Sequence, residues 1–141
     1  MVNDICAHVA AILRPLPDPP RPDDDPSYAE VGYAEALERV HLEREELAEQ
    51  MRDEWEHDAD PVLAEISTQR EKMLDAERTM RLLIAYAREY VRPRPYRLED
   101  LASAAGMSIS GVRTAYDDDE VERVAELTGQ QPRRPETITR R

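Results

Sequence analysis

Residues 98–117 read LEDLASAAGMSISGVRTAYD, and their spacing decides the fold of the C-terminal third. Two helices that cross closely need a small residue at the crossing, and Ala102 supplies it. The tight turn between them needs a residue tolerant of positive φ, and Gly106 follows four residues later. Leu98, Leu101 and Ala105 then point inward from the first helix, and Ile109, Val112 and Ala115 from the second. Ser108 is a suitable N-cap for that second helix. The expectation is a helix-turn-helix.

Working outward, Asp117 with Glu120 three residues later makes a capping box for a further helix. Val121, Val124, Ala125 and Leu127 give that helix an apolar face, and Gly129 ends it. A three-helix head also needs a helix before the motif. Leu82, Leu83, Tyr86 and Tyr90, at the end of the preceding helical pattern, are the expected contributors. If the second motif helix enters a major groove by its N-terminal end, Ser110, Arg113 and Thr114 face outward. Arginine is the best single side chain for a guanine edge. Backbone N–H groups after Ser108 are placed to grip a phosphate. Arg92, Arg94 and Arg97 precede the motif and suit the DNA backbone beside it, as does the tail with Arg133, Arg134, Arg140 and Arg141.

The motif Leu101-Ala102…Ala105-Gly106-Met107-Ser108…Val112-Arg113 resembles the helix-turn-helix of lac-repressor-type bacterial repressors and of sigma-factor DNA-binding regions. With PRPY, AAGMSISGVRTAY and the acidic run that follows, residues 93–129 also resemble small helix-turn-helix regulators common in Streptomyces and its relatives. The resemblance covers about a quarter of the chain. It implies binding to double-stranded DNA, with base-reading positions at Ser108, Ser110, Gly111, Arg113 and Thr114. Gly111 departs from the usual pattern, because it offers no side chain to a base.

Charge limits how such binding can work. The chain carries a formal net charge of -12. Residues 1–92 hold 11 basic against 22 acidic side chains, and residues 93–141 hold 8 against 9. General attraction to a polyanion is excluded, so DNA binding must come from a local basic surface. Lys72 is the only lysine among the 19 basic residues, a bias that goes with GC-rich coding and an actinobacterial source.

Charged residues make up 35% of the 141 residues and mean hydropathy is -0.73, too wet for one compact globule and suited to long exposed helices. Runs of β-branched and aromatic residues are missing, there is no Phe, and the fold class expected is all-α. A single cysteine, Cys6, has no internal partner and fits a reducing compartment. No apolar run reaches the roughly 20 residues that span a bilayer, and no basic region precedes the apolar residues after Asp4. A cytoplasmic protein with no membrane partner is expected.

The remainder divides by composition. Residues 1–14 form a short amphipathic segment, with Val2, Ile5, Cys6, Val9, Ile12 and Leu13 at helical spacing. It either binds a protein partner through residues 2–13 or packs on the arm. Residues 15–26, with six prolines and four aspartates, read as a disordered tether. Residues 27–92 read as a two-helix acidic oligomerisation arm. Tyr33, Leu37, Val40, Arg44, Leu47 and Met51 keep a heptad spacing with Trp55 on the same side, and Arg44 weakens the seam. Asp58-Ala59-Asp60-Pro61 breaks that helix, with Pro61 suited to the first position of the next. Ile66, Met73, Ala76, Met80, Leu83, Ala87 and Tyr90 resume the heptad, interrupted only by Gln69. The two helices fold back as a hairpin or pair with a second copy. Arg92-Pro93-Arg94-Pro95 ends the arm, residues 93–129 form the head, and 130–141 form a basic flexible tail.

Other chemistry is poorly represented. Cys6-Ala7-His8 and His57-Asp58-Ala59-Asp60 lack a partner cluster at metal-ligand spacing. Glu43, Glu45, Glu46 and Glu49 read as a charged helix face. There is no phosphate loop, nucleophile–base pair or dinucleotide fingerprint, so neither enzyme nor cofactor is expected. The reading is a homodimeric, sequence-specific DNA-binding transcriptional regulator. The alternative is a protein-interaction adaptor, or an antitoxin-like or DNA-mimic acidic helical protein, whose motif docks on protein.

Overall fold

Apolar residues spaced at three and four, few glycines and no strand-forming runs leave helix as the available regular structure. The computed structural model describes residues 4–56 and 60–133 and is all-α, with no strand among them. Val2 of the N-terminal segment, His57, Asp58 and Ala59 of the possible ligand cluster, and Arg134, Arg140 and Arg141 of the tail lie outside the described residues. The helices are α1 (Ile5–Leu13), α2 (Tyr33–Trp55, entered through a π-helical turn at Tyr28–Gly32), α3 (Pro61–Glu89), α4 (Leu98–Ala105), α5 (Ile109–Arg113) and α6 (Asp118–Thr128). Among the described residues no helix is long and apolar enough to cross a membrane. The chain forms two compact units, Met1–Gln69 and Arg70–Arg141.

In the first unit α1 lies antiparallel on α2. Asp4 caps α1 by accepting from Ala7 N–H at 3.0 Å, and Arg52 of α2 pairs with the same carboxylate at 2.6 Å. At the other end Arg44 donates from Nε to Arg14 O at 2.7 Å and from Nη2 to Ala11 O at 3.4 Å. Carbonyls at a helix C-terminus have no partner within the helix. An arginine that looked like a flaw in the heptad seam is therefore the C-terminal cap of α1.

Between these polar ends, Cys6, Val9 and Ala10 are buried against Ala48 and Met51, with Ile5, Leu13 and Leu47 around them. Ala10 and Ala48 let the helix backbones approach closely. Burying a side chain such as Val9 or Met51 is worth about 1.5–3 kcal/mol, enough to hold a helix too short to persist alone. The apolar face of residues 5–13 is thus occupied within the chain, and among its large apolar residues Ile12 stays outward at 79% exposure. After α1 the chain turns at Arg21–Asp24, where the Asp24 carboxylate accepts from Arg21 N–H at 2.7 Å. Asp60 caps α3 by accepting from the N–H groups of Val62 and Leu63, with Pro61 as its first residue.

In the second unit α4, α5 and α6 gather around the C-terminal part of α3. Ile84, Val112 and Ala115 are the buried centre of one cluster, joined by Met80, Leu98, Leu101, Ala102, Ala105, Met107 and Tyr116. Ala85, Tyr90 and Val124 centre a second, with Leu82, Val121 and Ala125 around them and Tyr116 common to both. Leu83 and Tyr86, expected in this core, are exposed instead at 61% and 40%. Met80, Ile84, Ala85 and Tyr90 supply the α3 side chains that pack with the other helices, and Ala87 is buried beside them in sequence. Leu127 is likewise outward, because the face defined by Val121, Val124 and Ala125 has rotated past it by residue 127.

The last four carbonyls of α3 are all satisfied. Tyr90 N–H donates to Tyr86 O, Tyr96 N–H to Ala87 O, Arg133 Nη2 to Arg88 O, and Arg133 N–H to Glu89 O at 2.7 Å. Arg88 returns a bond to Tyr96 O at 2.8 Å. Both the loop before α4 and the residues after α6 are thereby tied to the end of α3.

Cys6 is 1% exposed and makes a built-in probe of α1 docking. Arg44→Ala removes the cap on α1 and should speed modification of Cys6 by a thiol reagent about 2- to 12-fold, the range that 0.5–1.5 kcal/mol implies. An unchanged rate would show that Arg44 does not hold α1 in place.

Candidate nucleic-acid interface

The pair α4–α5 is built by three local devices. Gly106 ends α4 in the left-handed region at φ 65°, its N–H and that of Met107 both turning back to Ala102 O. No atom lies within 4 Å of where its Cβ would be, so backbone conformation and not space demands glycine there. Ser108 is the N-cap of α5, its Oγ accepting from Gly111 N–H at 2.9 Å. A Cβ on Gly111 would stand 3.2 Å from that same oxygen and 3.5 Å from Met107 Cβ. The glycine that offers nothing to a base therefore lets the cap close.

Val112 and Ala115 are buried as expected, whereas Ile109 is 39% exposed. Ile109 is the first residue of a five-residue helix and is not among the residues of the Ile84–Val112 cluster. Met107, in the turn, fills the core position instead. Its only sequence signal was an apolar residue where a polar turn residue is usual.

The site residues expected on α5 share one short element. Ser108, Ser110, Arg113 and Thr114 are exposed and Gly111 is half-buried. Thr114 Oγ1 donates back to the helix, with Ser110 O at 3.2 Å and Gly111 O at 3.3 Å. Gly111 N–H is taken by the Ser108 cap and Val112 N–H by Ser108 O, which removes two of the groups expected to grip a phosphate. The Arg113 guanidinium has no hydrogen bond or ion pair among the described residues. Arg97 stands at the N-cap of α4 and pairs loosely with Glu99 at 3.6 Å. Arg92 and Arg94 are exposed in the loop between α3 and α4, a place distinct in sequence from the α5 cluster. Arg133, expected in a mobile tail, is tied into the end of α3.

The acidic run has a structural role. Asp117 and Glu120 close the capping box of α6, with Asp117 N–H donating to Glu120 at 3.1 Å and Asp119 N–H to Asp117 at 2.9 Å. The Glu120 side chain beside it, the N–H groups of Asp119 and Glu120 and the field of Arg81 hold the Asp117 carboxyl below the usual carboxylate range. Arg81 itself is paired with Glu77 at 2.8 Å. Tyr116, directly before the run, was missed in the sequence because it lies past the end of α5, where no helical spacing marks it. Its hydroxyl donates to Glu89 Oε1 at 2.6 Å. Burial, and then that carboxylate, push its ionisation above the ordinary value.

Compared with protein-family models, with curated proteins and with solved structures, the chain matches none.

A tyrosine whose folded pKa is raised keeps its proton in the fold, so its contribution is whole below the unfolded value and is lost as pH rises. Stability of the second unit should therefore fall as pH climbs past about 10, the ordinary tyrosine value. Tyr116→Phe should cost about 1.5–3 kcal/mol at neutral pH, the range for a bond to a charged acceptor, and should reduce the alkaline slope. Urea unfolding at neutral and alkaline pH measures both, and an unaltered slope in the variant would remove Tyr116 as its source.

Proposed function

We propose that this chain is a sequence-specific DNA-binding transcriptional regulator that acts as a homodimer and reads DNA with α5. The observation that carries this reading is Arg113: an exposed, unpaired guanidinium on a short helix whose opposite face is fully anchored. Catalytic and ligand-binding proteins concentrate polar groups in clefts, whereas Arg113 stands on a convex helix. A groove reader needs that geometry.

On this reading α5 enters the major groove with Arg113 on a guanine edge and Ser110 beside it. The exposed Ile109 suits a thymine methyl, a contact that a core-facing Ile109 would forgo. Thr114 has its proton committed to the helix, so it serves only as an acceptor. Ser108 acts mainly by holding the start of α5. Arg92, Arg94 and Arg97 make sequence-independent backbone contacts.

One observation favours a second reading. Asp118 and Asp119 are exposed in the first turn of α6, on a chain of net charge -12. A protein adaptor, or an acidic antitoxin-like or DNA-mimic protein, presents such a surface to a basic partner. The capping role of Asp117 and Glu120 accounts for half of the acidic run without such a partner.

Selection of bound fragments from random DNA tests the proposal directly. Against a selected site, Arg113→Ala should weaken binding by about 1–3 kcal/mol and relax preference at one base pair. Equal binding by the variant would refute α5 as the reading helix, and an absence of selected DNA would favour the protein-docking reading.

The salt dependence gives a separate measurement. Arg133 belongs to the folded unit, so the informative truncation is 134–141, which removes three arginines and one glutamate. If those arginines follow the duplex, deletion should flatten the log–log salt slope by up to about three units, at roughly 0.9 per phosphate contact, and leave site preference intact. An unchanged slope would exclude the tail from the interface.

A further inference from the structure

Helix α3 divides its heptad seam in two. Met80 and Tyr90 pack in the clusters of the second unit and Ala87 is buried, while Val62, Ile66, Met73, Ala76 and Leu83 are exposed. Ile66, Met73 and Leu83 each show 60–65% of their surface to solvent. All five lie on one stripe of α3, about 33 Å long at 1.5 Å per residue. Val, Ile, Met, Ala and Leu in one heptad register, with Gln69 and the covered Met80 at the two intervening positions, make a stripe suited to meet another helix of matching register.

The charges beside the stripe identify that helix. With Ile66 and Met73 at the a positions and Gln69 and Ala76 at d, the flanking g and e positions are Glu65, Arg70, Lys72 and Glu77. In a parallel, in-register pair each g side chain faces the e side chain five residues on in its partner. Glu65 then meets Arg70 of the second copy, and Lys72 meets Glu77, each pair occurring twice by symmetry. All four contacts join opposite charges. Turned antiparallel about Gln69 and Met73, the same face would set Arg70 against Arg70 and Lys72 against Lys72. Among the described residues Arg70 and Lys72 have no ion-pair partner within the chain. Glu65 and Glu77 hold only local bonds, to Gln69 at 2.6 Å and to Arg81 at 2.8 Å, and each carboxylate retains capacity to accept another.

We infer that a second copy of this chain pairs with the exposed stripe of α3 as a parallel, in-register coiled coil, fixed by Glu65–Arg70 and Lys72–Glu77 contacts between copies. Gln69 lies in the middle of the seam, where its amide meets its symmetry mate, and a polar residue at such a position specifies register at some cost in stability. The inference deepens the homodimer proposed above by naming its interface and orientation, and it is independent of what α5 binds. Parallel pairing places the two Met80–Tyr90 segments, and the α5 helices anchored on them, at the same end of the seam.

Sedimentation equilibrium of the full chain tests the pairing. Met73→Glu should raise the dimer dissociation constant at least about 10-fold, because a charge would enter an apolar seam. Cys6 protection and helicity should be unchanged, since Met73 touches neither folded core. Lys72→Glu should also weaken the dimer, and adding Glu77→Lys should restore it by rebuilding opposite-charge pairs. Orientation is read from Gln69→Cys with Cys6→Ala, which should form a 69–69 disulfide under mild oxidation, while Arg78→Cys on the opposite face should not. A monomer at every concentration, or a dimer indifferent to Met73→Glu, overturns the inference. A dimer without the 69–69 disulfide overturns its parallel register. None of these readouts uses DNA, so a monomer that still binds selected DNA through Arg113 would sink the dimer and leave the DNA reading standing.

Discussion

The packing of Ile84 from α3 against Val112 from α5 is the constraint on which the second unit depends. α5 has five residues and cannot hold its own shape, since a helix of that length fixes more backbone than its hydrogen bonds return. What keeps it helical is Val112, fully enclosed among Ile84, Leu98, Leu101, Ala102 and Met107. Ala102 permits the approach, Gly106 reverses the chain, and Ser108 with Gly111 closes the first turn. Each device is local, but each serves the burial of one valine. Loss of that contact would leave Arg113 on a frayed loop, with its direction undefined.

The turn chemistry was legible in the sequence because it depends on residue type at fixed spacing. Gly106, the Ser108 cap, the Asp117–Glu120 capping box, Pro61 as a first helical residue and Gly129 as a terminator all stand where pattern alone put them. Rotational detail was less legible. Leu83, Tyr86, Ile109 and Leu127 have the right hydrophobicity for a core and lie on the wrong side of their helices. A periodic pattern tolerates an error of one helical position, or about 100°, whereas burial does not. Met107 and Tyr116 escaped notice for the converse reason: they sit in or beside turns, where a helical period is not defined. DNA binding itself was read from type and spacing, and those are what support it still.

Long-range polar contacts were beyond the sequence, and several of them are made by arginine. Arg44, Arg52 and Arg133 each use a guanidinium or backbone group to secure a helix end far away in sequence. An unsatisfied C-terminal carbonyl attracts a cation as well as a donor, so an arginine caps better than a neutral side chain. In a chain with so many acids, the basic residues look from composition like scattered counter-charges. Several are instead fasteners. This changes how the DNA reading must work, because each arginine used for capping is subtracted from the phosphate contacts available.

The same economy bears on α3. A helix of 29 residues that gave its whole apolar face to one function would leave the other unserved. Its C-terminal part is wrapped by α4, α5 and α6, which consumes Met80, Ile84, Ala85 and Tyr90. The earlier turns carry a seam that no described residue covers, flanked by charges of alternating sign. One heptad register runs through both parts of the helix. Ile84, which packs with Val112 one residue before Arg113, stands on the same helix as the seam. If two copies of α3 pair as inferred, the dimer seam and the anchor of α5 draw on separate residues of one helix, so that neither is built at the other's expense.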